Sequence, residues 1–279
     1  MSIHSKTSPA WAFFSLAANG ILGIAIARVL LHEYHWSVPS PVKNSAATTH
    51  ISYPKPDPLP ELGPRHKLNY QQWVALLGQE AEVMAAQKPE HLAILVGDSL
   101  TLWFPNELLP PERTWLNQGI SGETSGGLLN RLEVLDKTQP EVIFVLIGIN
   151  DLIRGAKDET ILANQQLIIG YLRQVHPHAK IVVQSILPHS GVHVTWEGRD
   201  RLLSIPNSRI QELNRQLAAI AENERVIYLD LYPLFADAEG NLKTELSTDG
   251  LHLSPQGYLV WRNALQVLNQ LLLEPQALK

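Results

Sequence analysis

The sequence predicts an α/β fold, in which a mainly parallel five-stranded sheet lies between two layers of helices as a three-layer α/β/α sandwich. The first observation behind this prediction is that short apolar runs of strand length recur along the chain. The second is that stretches with helical periodicity separate these runs, and the third is that turn-forming residues follow most of them. Strands that alternate with helices pair in parallel, and right-handed crossovers place the helices on both faces of the sheet.

Each element follows from its own pattern. Apolar runs predict strands at 92–96, 115–120, 142–147, 181–187 and 226–231. Amphipathic spacing predicts helices at 70–86, 128–135, 159–175, 210–221 and 255–272. The segment 188–206 is long for a connection in a compact domain, which is typical of a lid or a binding loop.

The composition narrows the class of function. The 279 residues carry a formal net charge of −5 and no lysine- or arginine-rich block, so the basic stripe of a nucleic-acid binder is missing. Cysteine is absent, which excludes disulfides, a thiol nucleophile and thiolate metal sites. The glycine-rich patterns that bind nucleotide phosphates do not occur either. At 45% hydrophobic residues, the chain fits a globular protein of one or two domains.

Residues 1–34 form an apolar amino-terminal segment. Residues 11–27 include no charged side chain, and the apolar character resumes after Arg28. Because about 20 apolar residues can span a bilayer, residues 11–31 predict a transmembrane helix that tethers the rest of the chain outside the cytoplasm. Two alternatives stay open. Ala-Ile-Ala at 25–27 fits a signal-peptidase site, which would give a secreted or periplasmic protein, and the segment could also be a buried or interfacial helix.

Residues 35–67 form a proline-rich linker, with seven prolines among serine, threonine and asparagine. Proline at this density predicts an extended, semi-rigid spacer without a packed core. It would either hold a tethered domain away from a membrane or lie as a strap across the folded domain. Folded sequence begins near Leu68, so we predict one domain over residues 68–279.

The first strand ends abruptly in Gly97-Asp98-Ser99. Ser99 is therefore expected just past the carboxyl end of a buried strand, where open α/β sheets bind their ligands. A hydroxyl held there beside a base is a candidate nucleophile. The tripeptide alone is also ordinary turn chemistry, so it does not establish a catalytic site by itself.

Four loops are predicted to converge at this edge of the sheet. Ser99 follows the first strand, Gly122 the second and Asn150 the third, while Asp249 and His252 follow the fifth. Acyl transfer needs a hydroxyl, an imidazole that takes its proton, a carboxylate that orients the imidazole, and donors for the oxyanion. Asp249 and His252, three residues apart, can pair on one turn, and Gly122 can present an unhindered backbone N–H. The amide of Asn150 can supply a further donor.

Four sequence blocks resemble those of the SGNH (GDSL) hydrolase family. They are Gly-Asp-Ser-Leu at 97–100, Asn-Gln-Gly-Ile-Ser-Gly-Glu-Thr at 117–124, Gly-Ile-Asn-Asp at 148–151 and Asp-Gly-Leu-His at 249–252. They occur in the family's order, and the resemblance covers about 92–272. It implies a flavodoxin-like α/β/α sandwich with an esterase, lipase, thioesterase or carbohydrate O-acetylesterase activity.

The resemblance also implies a role for each residue. Ser99 would be the nucleophile, His252 the base and Asp249 its orienting partner, while Gly122, Asn150 and the Ser99 N–H would form the oxyanion hole. Asp98 and Asp151 are expected to be structural, bonding N–H groups around the site. The second block departs from the family pattern only in having Glu where Asp is frequent, which could change the geometry of that loop.

The expected function is hydrolysis of carboxylic esters or thioesters through an acyl-enzyme. The substrate would be a small-molecule ester, a lipid or an acylated glycan. An O-acyltransferase or a carbohydrate O-acetylesterase acting on cell-envelope glycans would use the same triad, and a non-catalytic binding module would have kept only the fold. We expect neither a cofactor nor a metal. His189 and His193 have the spacing of metal ligands on a helix, but Pro188 and Gly191 disfavour a helix there and no further ligand is evident. The oligomeric state is not predicted.

Overall fold

The computed structural model describes residues 68–273, with side chains described up to Leu271. Five strands form one sheet in the order β2-β1-β3-β4-β5, and all neighbouring strands are parallel. The strands are β1 (Leu92–Gly97), β2 (Thr114–Gly119), β3 (Val142–Leu146), β4 (Lys180–Gln184) and β5 (Ile227–Leu229). The chain reverses its direction of winding between β1 and β3, and the crevice outside the carboxyl ends of such strands is where ligands bind.

Helices cover both faces of the sheet. They are α1 (Tyr70–Gln87), α2 (Ser99–Leu102), α3 (Ser125–Leu129), α4 (Ile149–Ile153), α5 (Asp158–Val175), α6 (Arg199–Leu203), α7 (Asn207–Asn223), α8 (Tyr232–Phe235) and α9 (Pro255–Leu273). Short 3₁₀ turns lie at Asn106–Leu108, Leu132–Leu135, Gly191–His193 and Thr244–Leu246.

The alternating side chains of the strands divide the core between the two faces. On β1, Ala93 and Leu95 pack with α2, α8 and α9, whereas Ile94 and Val96 pack with α1, α3 and α5. Trp261 of α9 is fully buried, and its indole N–H donates a hydrogen bond to the Gln184 amide oxygen at 2.7 Å. The indole therefore fixes α9, and with it the loop that precedes α9, to the end of β4.

The predicted three-layer α/β/α sandwich is confirmed, and β1, α1 and α5 match their predicted bounds to within a residue. β4 and β5 are shorter than predicted. Just past the end of β4, the Ser185 hydroxyl accepts the backbone N–H of Leu231, and this side-chain contact takes the place of further strand pairing. The helix predicted through 128–135 is split into α3 and a 3₁₀ turn. The segment 188–206, predicted to be irregular, contains α6.

The prediction of a transmembrane helix and of a membrane-anchored location requires correction. Within residues 68–273, no helix is both long enough and apolar enough to cross a bilayer. The long helices there have one face against the sheet and polar side chains on the other, as on α5 and α7. The segment 11–31, on which the tether was placed, and the linker at 35–67 lie outside the described residues.

Candidate active site

Ser99 lies where β1 ends and α2 begins. Asp98 caps α2, because its Oδ1 accepts a hydrogen bond from the backbone N–H of Leu100 at 3.0 Å. Ser99 is 6% exposed and is therefore a buried residue at the edge of the sheet. The abrupt change from strand to helix thus presents the serine at the carboxyl end of a central strand.

The loop before α9 brings His252 to this serine. Ser99 Oγ lies 3.1 Å from His252 Nε2, and His252 Nδ1 lies 2.7 Å from Asp249 Oδ2. The other carboxylate oxygen of Asp249 accepts the backbone N–H groups of Leu251 and His252 at 3.0 and 2.8 Å. Burial alone would raise the pKa of Asp249, but these hydrogen bonds outweigh it and hold the pKa below its ordinary value. Asp249 is therefore ionised at neutral pH and favours the tautomer in which Nδ1 carries the proton.

The segment 188–206, suspected of being a lid, supports the Asp249 loop. The backbone N–H groups of Thr195 and Trp196 both donate to the Asp249 carbonyl, at 2.8 and 2.9 Å. Gly250 has a φ of +89°, and a Cβ there would lie 2.7 Å from the backbone of Val194. His189 is occupied within the same segment, where its ring contacts the Ile205 carbonyl at 2.6 Å and accepts the Gly191 N–H at 3.1 Å.

Gly122 and Asn150 lie in the loops after β2 and β3. Gly122 has a φ of +74°, a conformation that glycine adopts without strain. Asn150 lies in the first turn of α4, which begins after Gly148 at a φ of +135°. Asn150 Nδ2 is buried and makes no hydrogen bond of regular geometry among the described residues. The Asn150 amide also lies close enough to the Asp98 carboxylate to lower the pKa of that carboxyl.

Two buried carboxylates support these loops, as predicted. Asp151 accepts the backbone N–H and the hydroxyl of Ser125 at 2.8 and 2.6 Å, which ties α4 to α3. Asp98 is fully buried, and burial is the main cause that raises its pKa to about 7. The bond from Leu100 and the nearby Asn150 amide lower the pKa, while the negative charges of Glu123 and Asp151 raise it further.

A buried ion pair holds the loop after β2. Arg131 binds both carboxylate oxygens of Glu123, at 2.8 and 2.5 Å, and it also donates to the Gln118 carbonyl at 2.6 Å. The side chains of Glu123 and Arg131 are 0% and 2% exposed. Glu123, the one departure from the family pattern, therefore anchors the loop that carries Gly122.

The apolar loop after Ser99 is divided between the core and the site. Phe104 and Leu109 are buried and pack in the hydrophobic core. Trp103 is instead 49% exposed, and its ring lies over the imidazole of His252 with a centroid separation of 4.4 Å. No sequence pattern predicts this contact, because it joins positions 149 apart along the chain.

The structure brings Ser99, His252 and Asp249 into contact, and Gly122 and Asn150 lie in the loops after β2 and β3 of the same parallel sheet. Hydrogen-bond distances connect the Ser99 hydroxyl to the His252 imidazole and the imidazole to the Asp249 carboxylate. The Asn150 amide nitrogen lies in the loop after β3. Among the described residues, no group of three or more His, Cys, Asp or Glu is arranged to hold a metal ion.

Comparison with known proteins agrees with this geometry. Residues 95–260, more than half of the chain, match the model of the GDSL-like Lipase/Acylhydrolase family. The chain is 30% identical over 205 residues to the platelet-activating factor acetylhydrolase IB subunit alpha1 of Bos taurus, covering 70% of this chain and 82% of that one. It is 25% identical over 190 residues to an arylesterase of Vibrio mimicus, covering 62% of this chain and 84% of that one.

The fold has close counterparts among solved structures. A GDSL-like lipase from Bacteroides thetaiotaomicron superposes with a TM-score of 0.58 at 19% identity, over 71% of this chain and 98% of that one. Since the sequence relatives and the family model agree, the chain belongs to the GDSL-like lipase/acylhydrolase family and is a hydrolase of ester bonds.

Proposed function

We propose that the chain cleaves carboxylic esters with Ser99 as nucleophile, His252 as general base and Asp249 as the residue that orients His252. The observation that carries this proposal is the unbroken sequence of contacts from Ser99 Oγ to His252 at 3.1 Å and on to Asp249 at 2.7 Å. With the proton on Nδ1, Nε2 has a free lone pair that faces the serine hydroxyl.

In the first step, Ser99 Oγ attacks the ester carbonyl while its proton moves to His252 Nε2. The carbonyl oxygen becomes an oxyanion, for which the backbone N–H groups of Ser99 and Gly122 and the Asn150 amide are the proposed donors. When the bond to the alcohol oxygen breaks, His252 returns the proton to that oxygen, and an acyl-enzyme remains on Ser99. Water then attacks the acyl-enzyme by the same route and releases the acid and the free serine.

The substrates we propose are small-molecule esters, lipids or acylated glycans. Support comes from two relatives of the chain, which are named as an acetylhydrolase and an arylesterase. Transfer of the acyl group to a sugar hydroxyl in place of water would leave the first step unchanged. The two outcomes differ only in which hydroxyl attacks the acyl-enzyme.

The test compares the wild-type protein with Ser99→Ala on p-nitrophenyl esters from acetyl to palmitoyl. Ser208→Ala is the matched control, because Ser208 is an exposed serine of α7 outside the site. We expect activity in the wild type and in the control and none above background in Ser99→Ala. A fluorophosphonate probe should label the wild type once, at Ser99.

The chain-length optimum separates an acetylesterase from a lipase, and products formed with added sugar acceptors reveal transfer. Hydrolysis that survives Ser99→Ala, or no turnover of any ester, would refute the proposed nucleophile.

A further inference from the structure

A cavity adjoins the proposed oxyanion hole on the side of Gly122. It has a volume of about 400 Å³ and is lined by residues that include Tyr70, Gly122, Thr124, Asn130 and Arg154. The start of α1, the loop after β2, α3 and the end of α4 thus each contribute to its wall. Because Gly122 lines this cavity, the cavity can receive a group of the substrate that extends past Gly122.

Arg154 is held against Gly122. Its backbone N–H bonds the Asn150 carbonyl at 3.0 Å, one helical turn away on α4, and its side-chain Nη2 donates to the Gly122 carbonyl at 2.7 Å. The side chain is exposed. The guanidinium has five N–H donors, and a single one serves the bond to Gly122. The remaining donors can serve a ligand in the cavity.

Two carboxylates lie near the cavity, and both take hydrogen bonds from within the protein. Glu123, which also lines it, has one oxygen bound by Tyr70 and Arg131 and the other bound by Arg131. Asp151, which attracts Arg154, is buried and takes two hydrogen bonds from Ser125. The wall of the cavity therefore offers one exposed positive charge with a fork of donors, the arrangement that suits a carboxylate or a phosphate.

We infer that Arg154 determines specificity by binding an anionic group, a carboxylate or a phosphate, that the ester carries near its scissile bond. This inference rests on the proposed function and narrows its substrate class. A carbonyl in the oxyanion hole has two substituents, so the anionic group could belong to the acyl half or to the alcohol half. The chemistry at Arg154 is the same in both cases, and the experiment separates them.

The test uses two pairs of esters that differ in charge. Phenyl acetate and 4-acetoxybenzoate place the carboxylate on the alcohol half, and p-nitrophenyl butyrate and mono-p-nitrophenyl glutarate place it on the acyl half. The readout is the ratio of kcat/KM for the anionic ester to kcat/KM for the neutral one. This ratio cancels any general loss that comes from releasing the Gly122 carbonyl.

We expect Arg154→Gln to lower the ratio about tenfold in one of the two pairs, the factor that about 1.4 kcal/mol of interaction energy gives. Arg154→Glu should lower it further, and Arg154→Lys should restore part of it because the charge remains without the fork. In the wild type, the ratio should fall as salt is added. Arg225→Gln is the matched control, since Arg225 is an exposed arginine before β5, at the opposite edge of the sheet.

A ratio that Arg154→Gln leaves within twofold in both pairs, while the neutral esters are still cleaved, would overturn the inference and leave the proposed function standing. A wild type that cleaves none of the four esters would instead refute the proposed function and this inference with it.

Discussion

Asp249→Asn tests whether the carboxylate sets the tautomer of His252. The substitution keeps the size of the side chain but replaces one acceptor oxygen by an NH₂ donor. Asp249 Oδ1 accepts two backbone N–H groups at 2.8 and 3.0 Å, whereas Oδ2 faces only His252 Nδ1 at 2.7 Å. The asparagine oxygen should therefore keep the two backbone bonds, and the NH₂ should face Nδ1.

This arrangement forces the imidazole proton onto Nε2, where it faces Ser99 Oγ and prevents His252 from accepting the serine proton. The reverse orientation of the amide would set its NH₂ against two backbone donors and lose two hydrogen bonds, at about 1 kcal/mol each. We expect kcat for p-nitrophenyl acetate to fall about 10⁴-fold, the loss that the wrong tautomer causes in serine proteases. At about 1.36 kcal/mol per tenfold, this raises the barrier by about 5 kcal/mol.

The measurement is kcat and KM of Asp249→Asn beside the wild type, with the thermal midpoint of both as a check on folding. KM should change little, because Asp249 is not proposed to contact the substrate. A variant that is folded and keeps more than about a tenth of the wild-type kcat would refute the assigned role of Asp249.

Three further predictions concern the surroundings of Ser99. Asn150→Ala should lower kcat by about 10²–10³, the loss that removal of one oxyanion donor causes, and it should raise the pKa of Asp98 further because the Asn150 amide lowers that pKa; an unchanged kcat would exclude the amide as a donor to the oxyanion. Trp103→Ala should lower kcat/KM about threefold to tenfold, since the indole covers the imidazole of His252 at 4.4 Å, and Trp103→Phe should retain most of the activity. Equal losses of kcat/KM in the two variants would show that an aromatic ring against His252 is not required for activity. Asp98→Asn should change how stability depends on pH. Burial raises the pKa of Asp98 to about 7, so the folded state keeps a proton that the unfolded chain loses above about pH 4. The contribution of Asp98 to the free energy of unfolding of the wild type therefore falls as the pH rises towards 7. The variant lacks this loss, so its stability in urea should gain on the wild type by about 3 kcal/mol between pH 5 and pH 8; a difference that does not vary with pH would contradict the assignment.

The sheet could be predicted from the sequence because its strands are buried on both faces. All six residues of β1 and all five of β3 are buried, so the strands read as continuous apolar runs that end at clear turn residues. β5 is only half-buried, and its run therefore continues past the point where strand pairing ends. Strand length at such an edge depends on the neighbouring loop and not on local hydrophobicity.

The proposed catalytic residues could be predicted because each follows a strand of a parallel sheet. The topology alone brings such loops to one edge, so the contact of Ser99 with His252 could be expected without any knowledge of side-chain positions. The contacts that support the Asp249 loop could not be predicted, because they do not follow from the order of the strands. The segment at 195–196 bonds the Asp249 carbonyl, and this contact depends on where a long connection packs in three dimensions.

Arg154 shows the same limit for specificity. In the sequence it is one basic residue at the end of a short helix, and its proximity to Gly122 exists only because α4 and the loop after β2 are locked together by Asp151 and Ser125. The contacts that fix the donor Asn150 on α4 therefore also fix the cation one turn further along the same helix. Because the guanidinium also holds the Gly122 carbonyl, a substitution of Arg154 can change both the proposed charge preference and the position of Gly122, and the ratio between anionic and neutral esters separates the two effects.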